Sequence, residues 1–348
     1  MKKDLSHQTI LHQNLQPIDF DEVEAGDFRI IDVRTVEEFA AGTIPGAVNV
    51  PLFDNDERSV IGTLYRHVGQ PQAIDKGFEY ADGKLSELLA GFEPYRAMAC
   101  VVFCARGGMR SRAVVNLLDQ CGYEVFQLAG GYKQYRNVVM ERLANFQPKV
   151  IVIHGLTGTG KTRIIEQLDH AIDLEDLARH RSSLFGGLDR EPSNQRTFES
   201  RLVEVIASLG GREPYFIEGE SRKIGRVFTP KPLAMSMKSG VLVYVHCSME
   251  TRITRIIEDY PVTDTRILRQ IETILKSLKQ KMGVGPVEKM CQLLQNGELR
   301  ELVHILLVDY YDKRYGKSMS NYKYTMEFSS ENIAEATVNL TELRNSLV

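Results

Sequence analysis

One cysteine is followed by glycines and arginines in a spacing that could support chemistry. Cys104 opens the segment Cys-Ala-Arg-Gly-Gly-Met-Arg-Ser, residues 104–111, between an apolar run and a helical pattern. A loop that opens a helix turns several backbone N–H groups towards one point, and the helix dipole adds positive potential there. Together with the charges of Arg106 and Arg110, this setting lowers a thiol pKa and favours the thiolate. The residues predict a reactive Cys104 with two catalytic arginines, rather than a small core cysteine.

A second segment is typical of phosphate binding. Residues 155–162, Gly-Leu-Thr-Gly-Thr-Gly-Lys-Thr, fit the pattern G-x-x-x-x-G-K-[ST] between an apolar run and a predicted helix over 163–168. Backbone amides of such a loop wrap a phosphate, its lysine neutralises phosphate oxygens, and its last hydroxyl can ligate Mg²⁺. A di- or triphosphate is therefore expected on the loop; ATP, GTP or another pyrophosphate ester would satisfy it. The predicted binding residues are Gly155, Thr157, Gly158, Thr159, Gly160, Lys161 and Thr162.

Two acids follow a further apolar run. Glu218 and Glu220 stand at the end of residues 214–218, Pro-Tyr-Phe-Ile-Glu. Either carboxylate could supply a second Mg²⁺ ligand, and either could instead begin a helix or pair with a base. The histidines form no metal-spaced set, so no transition metal is predicted.

Three mixed segments place basic residues beside aromatic ones, at 173–187, 218–225 and 309–317. Such neighbours suit contact with phosphates and stacking on bases, and they equally suit a solvated helix face. The candidates for contact with a nucleic acid or another substrate are Arg179, His180, Arg181, Arg222 and Lys223.

Alternating strands and helices must position these groups. Strands are predicted over 28–34, 43–51, 99–104 and 125–128, with helices over 111–121 and 132–147. The alternation indicates a parallel sheet covered on both faces. A second set of strands at 149–154, 214–218 and 240–246 precedes a mostly helical stretch over 264–327. We therefore predict an α/β chain with domains at 1–147 and 148–348.

Composition restricts the classes of protein that fit. The chain has 348 residues, 43% hydrophobic and 26% charged, with a net charge of -3, so no global positive field attracts nucleic acid. No signal peptide or membrane span is predicted, and the five cysteines contain no CxxC pair. These features favour a cytoplasmic protein with no membrane partner, and we expect a monomer.

The first half resembles the rhodanese family. Residues 30–51 look like its opening pattern, and residues 104–111 and the Gly130-Gly131-Tyr132 triplet match its other landmarks. The resemblance implies a rhodanese-like domain whose Cys104 carries sulfur or a related chalcogen, with Asp32 and Arg34 structural. The C-x5-R spacing is one residue longer than is common in simple rhodaneses and also resembles Cys-dependent phosphatases. The loop alone therefore leaves chalcogen transfer and phosphate-ester hydrolysis both open.

The whole chain resembles one family, the tRNA 2-selenouridine synthases, in which a rhodanese domain is fused to a P-loop domain. The resemblance rests on the segments already quoted together with residues 51–58, residues 130–133 and the late Tyr-Tyr-Asp at 310–312. Gly219 between the two glutamates and Phe103 before the cysteine are small departures from the family pattern.

This resemblance implies a substrate and a chemistry. The substrate would be tRNA with 2-thiouridine at the wobble position, whose sulfur is geranylated from geranyl diphosphate and then replaced by selenium from selenophosphate. The P-loop, residues 155–162, would hold the diphosphate. Cys104 would carry selenium, and Arg106 and Arg110 would bind selenophosphate. No tightly bound cofactor is implied beyond Mg²⁺, and an enzyme that supplies selenophosphate would be a partner. The alternatives are a P-loop kinase or ATPase with a rhodanese or phosphatase-like regulatory module, and a non-catalytic RNA-binding protein.

Overall fold

The computed structural model describes residues 17–181, 183–188, 190–262, 264–314, 319 and 322–348. The chain forms two compact units, Met1–Arg142 and Leu143–Val348. The predicted α/β class is confirmed, with a parallel sheet in each unit.

The first unit contains a five-stranded parallel sheet in the order β1-β5-β4-β2-β3. Its central strand β4 is fully buried, as its continuous run of apolar residues predicts for a parallel sheet covered on both faces. Because the ends of neighbouring parallel strands meet at one edge, the loop after β4 lies beside the ends of β2 and β5. The strands are β1 (Pro17–Ile18), β2 (Arg29–Asp32), β3 (Val48–Asn49), β4 (Cys100–Phe103) and β5 (Val125–Leu128).

Helices cover this sheet, and three of them fill a region that the sequence patterns left unassigned. That region, between β3 and β4, packs against the same apolar core as the sheet. The helices are α1 (Phe20–Ala25), α2 (Val36–Ala40), α3 (Asn55–His67), α4 (Gln70–Gly83), α5 (Leu85–Phe92), α6 (Met109–Gln120) and α7 (Gly131–Asn145), with a 3₁₀ turn at Glu93–Tyr95.

The second unit contains another five-stranded parallel sheet, in the order β12-β11-β6-β8-β7, and a small antiparallel hairpin of β9 and β10. The stretch predicted to be mostly helical, 264–327, contains helices from Thr265 to Asp312, and strand β12, which begins at its end, was not predicted; its residues pair with β11 along the sheet edge. The strands are β6 (Val150–His154), β7 (Ala171–Ile172), β8 (Tyr215–Glu218), β9 (Lys223–Ile224), β10 (Val227–Phe228), β11 (Val241–His246) and β12 (Met326–Ser329).

The helices of the second unit pack on this sheet and on one another in two apolar cores. The helix after the phosphate-binding motif begins at Lys161 and ends at Ile165, so the helix predicted over 163–168 was placed too late. The helices are α8 (Lys161–Ile165), α9 (Leu174–Ala178), α10 (Gln195–Ser208), α11 (Lys231–Ser239), α12 (Met249–Asp259), α13 (Thr265–Ser277), α14 (Lys279–Met282), α15 (Val284–Asn296), α16 (Leu299–Ile305), a π-helical segment (Leu306–Asp312) and α17 (Ile333–Leu347).

No helix among the described residues combines the length and apolar character needed to cross a lipid bilayer.

Candidate functional site

Cys104 lies at the carboxyl end of the central strand of the first unit. Its side chain is only 3% exposed. The sulfur accepts a hydrogen bond from the Gly108 N–H at 3.3 Å and lies 3.3 Å from the Ser111 hydroxyl oxygen. The Gln127 amide donates to that same hydroxyl at 2.9 Å and so fixes its position. The thiol is therefore held among donors rather than packed as an ordinary core cysteine.

Glycines allow the loop to close tightly around this sulfur. Gly107 and Gly131 both have positive φ, at +59°. A Cβ on Gly131 would lie 2.3 Å from the Cys104 carbonyl oxygen and 2.3 Å from the Gly107 nitrogen, so a larger residue does not fit. The Gly130-Gly131 pair that the sequence singled out thus supports the cysteine loop by close backbone approach.

The pKa of the Cys104 thiol is lowered from its ordinary value. Burial by itself raises it, but the Ser111 hydroxyl, the positive charge of Arg110 and the N–H groups of Arg106 and Ser111 together outweigh burial. A lowered pKa increases the fraction of thiolate, which is the nucleophilic form. The predicted reactive setting of Cys104 is therefore present in the fold.

The two predicted arginines differ in what they touch. Arg110 forms an ion pair with Glu38, at 2.7 and 3.2 Å, while Arg106 has an exposed side chain and contributes its N–H to the sulfur site. Glu38 also lies 4.0 Å from Arg58, whose charge acts on Cys104 as well. Sequence reasoning missed both residues, although Arg58 belongs to the quoted segment 51–58.

Asp32 and Arg34 form a buried ion pair, in keeping with the structural role that the rhodanese resemblance implies. The guanidinium donates to both carboxylate oxygens at 2.6 to 3.1 Å and to the Gly42 carbonyl at 2.8 Å. It also lies 4.0 Å from the centroid of the Tyr132 ring. The pair ties the loop after β2 to the start of α7.

The phosphate-binding motif of the second unit occupies the corresponding position after its central strand β6. Gly158 and Gly160 have φ of +84° and +87°, which backbones with side chains rarely adopt. The Lys161 ammonium donates to the Gly155 carbonyl at 3.0 Å, across the loop. The backbone geometry is that of a cradle for an anion.

Two buried arginines of α12 donate hydrogen bonds to backbone carbonyls of this loop. Arg252 donates to the Thr157 carbonyl at 2.8 Å, and Arg255 donates to the Thr159 carbonyl at 2.9 Å. Asp312 holds Arg252 through two hydrogen bonds, at 2.6 and 2.9 Å. The Asp312 of the late Tyr-Tyr-Asp therefore positions the loop, and it is occupied by an internal partner rather than facing a substrate.

A cavity of about 560 Å³ opens in front of the loop. Thr159 does not line it, because its hydroxyl is buried and donates to the Leu156 carbonyl at 2.9 Å. The other six predicted loop residues all line it, namely Gly155, Thr157, Gly158, Gly160, Lys161 and Thr162.

Three carboxylates converge beside the P-loop. Oxygen atoms of Glu175, Glu218 and Glu220 lie within 4.8 Å of one another. Parallel pairing of β6 with β8 places Glu218 opposite Ile153, directly before the loop, and Glu175 comes from α9. The sequence patterns indicated Glu218 and Glu220, but Glu175 was missed because its approach depends on the fold of α9.

Glu218 is the buried centre of this carboxylate cluster. It is fully buried, and neither of its carboxylate oxygens has a hydrogen-bond partner among the described residues. Burial raises its pKa well above the ordinary value, the negative charges of Glu175, Asp173 and Glu220 raise it further, and the charge of Lys161 only partly offsets them. Burial also raises the pKa of Asp173 to about 6. A buried acidic group without a partner is the environment that a bound cation would relieve.

His154 is the last residue of β6, and its imidazole ring lies against Gly219. Burial and the nearby charge of Lys161 lower its pKa to about 4, so it is neutral at pH 7. A Cβ at position 219 would lie 2.7 Å from the imidazole ring. Gly219 between the two glutamates therefore has a steric reason, since any side chain there would strike His154.

Four of the five predicted basic contact residues line the P-loop cavity, namely His180, Arg181, Arg222 and Lys223. Arg181 donates to the Asp259 carbonyl at 3.0 Å and stacks over Tyr260, whereas Arg222 and Lys223 are exposed. Arg179 ends α9 in a left-handed conformation with an exposed side chain. Four of these five basic residues therefore line the cavity, and Arg179 does not.

Comparisons with known proteins cover both units. A family model described as the tRNA 2-selenouridine synthase AAA domain matches residues 148–343, and a rhodanese-like domain model matches residues 20–138. A tRNA 2-selenouridine synthase of Pseudomonas fluorescens is 31% identical over 90% of this chain and 94% of its own length.

Two further matches cover less. A protein of the same name from Nitrosomonas europaea is 34% identical over 68% of this chain, and the chain spans 64% of that relative's length. A crystal structure of an N-terminal domain from Clostridium difficile 630 aligns with 41% identity over 36% of this chain and 99% of its own, at a TM-score of 0.35.

Proposed function

The chain belongs to the tRNA 2-selenouridine synthase family, and from this premise we propose that it replaces the sulfur of 2-thiouridine by selenium at the wobble position of tRNA. The observation that carries the proposal is that one chain holds both an activated thiol at Cys104 and a phosphate cradle at 155–162. The family named in these comparisons is one of tRNA-modifying transferases, and the two loops supply two transfer sites.

The P-loop cavity is assigned to the first transfer, in which the sulfur of 2-thiouridine takes a geranyl group from geranyl diphosphate. Lys161 and the loop amides bind the diphosphate and stabilise the negative charge that grows on pyrophosphate as it departs. The cavity has an apolar part that suits a hydrocarbon chain, formed by Val152, Ala234, Met237, Leu242, Ile256 and Tyr322. A nucleotide would bring a polar base and ribose to that wall instead.

Mg²⁺ fits the carboxylate cluster beside the diphosphate. Glu175, Glu218 and Glu220 would hold it, because their oxygens converge and Glu218 is buried without a partner. The ion would supply positive charge to the leaving pyrophosphate. The Thr162 hydroxyl of the P-loop would be a further ligand. The Lys161 ammonium has three N–H donors, so it can keep its hydrogen bond to the Gly155 carbonyl while it contacts the diphosphate.

Cys104 is assigned to the second transfer. Selenophosphate bound at the Cys104 loop attacks C2 of the geranylated base through its selenium; the C2–S bond breaks and geranyl thiolate leaves. Water then cleaves the P–Se bond, so phosphate is released and selenium stays on C2. Arg106, Arg110 and the additional Arg58 supply positive charge for the incoming anion. An enzyme that makes selenophosphate is the partner that this step requires.

The tRNA phosphates are assigned to the basic residues at the P-loop cavity. Arg222 and Lys223 are exposed there, His180 and Arg181 lie further in, and Arg179 is exposed nearby in sequence. The wobble base belongs to a single-stranded loop, so turning it into a cavity costs little stacking energy.

The experiment adds substrates one at a time to the whole chain. Purified protein is mixed with tRNA containing 2-thiouridine, then geranyl diphosphate, then selenophosphate, and digested nucleosides are read by mass spectrometry after each addition. We expect S-geranyl-2-thiouridine first and 2-selenouridine second. Unchanged nucleosides together with hydrolysis of ATP would contradict the proposal and favour the kinase or ATPase alternative.

A further inference from the structure

The first unit contains a second cavity, of about 370 Å³, that no step above uses. Its walls come from the segment just before α3, from α3, α4 and α5, and from α6. The lining residues are Leu52, Phe53, Ile61, Tyr65, Ala73, Ile74, Gly77, Phe78, Ala81, Asp82, Leu85, Leu88, Met109, Arg110, Ala113, Val114 and Leu117.

The chemistry of this cavity is that of a hydrocarbon site. Asp82 and Arg110 are the charged residues among those that line it. Several apolar side chains on its wall remain in contact with water, including Tyr65 at 54% exposed and Met109 and Leu85 at 37% each. Concave, mainly apolar cavities of about 300–1,000 Å³ are typical of small-ligand sites, with a few polar groups that fix orientation.

The cavity lies beside the reactive sulfur. Met109 and Arg110 form the first turn of α6, directly after the loop that holds Cys104. Arg110 takes part in both places, because it lines the cavity and its charge lowers the pKa of Cys104. Ala113 and Leu117 continue the wall along the same face of α6, at the helical spacing of four residues.

We propose that this cavity binds the ten-carbon isoprenoid chain of S-geranyl-2-thiouridine while the base is at Cys104. The inference rests on the proposed function, which gives the base that chain on the sulfur atom that leaves. As the selenium of selenophosphate bonds to C2 and the C2–S bond breaks, the sulfur departs with the electron pair as geranyl thiolate, which takes a proton from solvent. Water then cleaves the P–Se bond and phosphate leaves. The chain in the cavity holds this sulfur near Arg110 and distinguishes geranylated bases from unmodified 2-thiouridine.

Binding should therefore depend on the length of the chain. Each buried methylene contributes up to about fourfold in affinity, so a ten-carbon chain should bind well above a single methyl group. Three chemically prepared probes test this: anticodon stem-loops that carry S-methyl, S-dimethylallyl or S-geranyl-2-thiouridine. Fluorescence anisotropy with the full chain should give affinities that rise in that order, by roughly tenfold to a hundredfold overall.

Two substitutions fill the cavity from opposite walls, Ala113→Phe on α6 and Gly77→Leu on α4. A Cβ at Gly77 would lie 3.6 Å from the Phe53 ring and 3.8 Å from Ile61, which is ordinary contact, so the rest of the leucine enters the cavity. The control is Ala144→Phe, the same change as on α6, placed on an exposed position of α7. Both filling variants should lose the preference for the geranyl probe, while the control keeps it.

The readouts separate this inference from the function on which it rests. Alkylation of Cys104 by iodoacetamide and geranylation at the P-loop should be unchanged in both filling variants, which also shows that they fold. If both variants keep the wild-type preference for the geranyl probe, or if the wild type shows no preference, the cavity is not the chain site. If the preference is lost in the variants but the wild type never converts the geranyl probe to selenouridine, the cavity stands and the proposed selenium step is wrong.

Discussion

The cysteine loop and the P-loop have similar positions and backbone conformations in their units, but the charges around them differ. Both follow the central strand of a five-stranded parallel sheet, and both need glycines of positive φ. In the first unit the positive charge of Arg110 is matched by Glu38 at 2.7 Å, and the buried Cys104 sulfur has donors around it. In the second unit Glu218 is buried with no hydrogen-bond partner among the described residues, beside two more carboxylates.

This difference separates a nucleophile site from a ligand site. The cysteine loop carries its own reactive atom, and the chain supplies every charge needed to activate it. The P-loop carries a lysine and surplus negative charge, so its electrostatics are completed by what binds there. We therefore expect the first site to respond to pH and the second to respond to divalent cations and diphosphate.

The largest effect is expected at the P-loop lysine. Lys161→Ala should lower the geranylation rate about 100- to 1,000-fold, because it removes the charge that stabilises departing pyrophosphate. The measurement is the rate of S-geranyl-2-thiouridine formation by mass spectrometry. Lys149→Ala, an exposed lysine just before β6, is the control and should retain full activity. Equal loss in both variants would contradict the role of Lys161.

The next effect concerns the carboxylate cluster. Glu218→Gln should weaken binding of Mn²⁺, a spectroscopic substitute for Mg²⁺, by about 10- to 100-fold, because it removes a charged ligand. Electron paramagnetic resonance of free Mn²⁺ measures this affinity. Glu204→Gln, on the exposed face of α10, should leave it unchanged.

Stability of the metal-free protein gives a second test of the same cluster. Because the pKa of Glu218 is higher folded than unfolded, the folded state binds more protons between those two values. Without divalent ions, the melting temperature should therefore fall as pH rises above about 4.5, the ordinary value for glutamate, and Mn²⁺ at pH 8 should restore it. In Glu218→Gln, the fall in melting temperature with rising pH and its restoration by Mn²⁺ should both be smaller. The same pH dependence in wild type and variant would contradict the role assigned to Glu218.

A smaller effect is expected from the residue that positions the P-loop indirectly. Asp312→Asn weakens the hydrogen bonds that hold Arg252, and Arg252 in turn binds the Thr157 carbonyl. Because the P-loop is then positioned less firmly, the affinity for pyrophosphate should fall roughly tenfold. Isothermal titration calorimetry with pyrophosphate measures it. Asp309→Asn changes an exposed acid of the same segment, which forms an ion pair with Lys313 at 2.7 Å, and should have no effect.

The smallest effect is expected at Glu38, the ion-pair partner of Arg110 beside Cys104. Glu38→Gln leaves Arg110 without its negative partner, so more of its positive charge acts on Cys104 and the thiol pKa falls further. Alkylation of Cys104 at pH 6 should become about two- to threefold faster. Glu37→Gln, one residue earlier and exposed, serves as the control. A slower reaction of Glu38→Gln would reverse the assigned roles.

Sequence reasoning worked where local pattern decides the outcome. The apolar run of β5 predicts a strand over 125–128, and the structure gives the same bounds. It failed where the partner lies far away in the chain, since Glu38 meets Arg110 across 72 residues and Arg252 meets Thr157 across 95. The short strand β12 was missed because its pairing with β11, rather than its own pattern, makes it a strand.

The two sites are assigned different steps on one base, and the variant Cys104→Ala separates those steps. The variant is given 2-thiouridine tRNA, geranyl diphosphate and then selenophosphate, and each nucleoside is quantified by mass spectrometry. We expect S-geranyl-2-thiouridine at close to the wild-type rate and no 2-selenouridine. Equal loss of both products, in protein whose circular dichroism and melting temperature match the wild type, would contradict it.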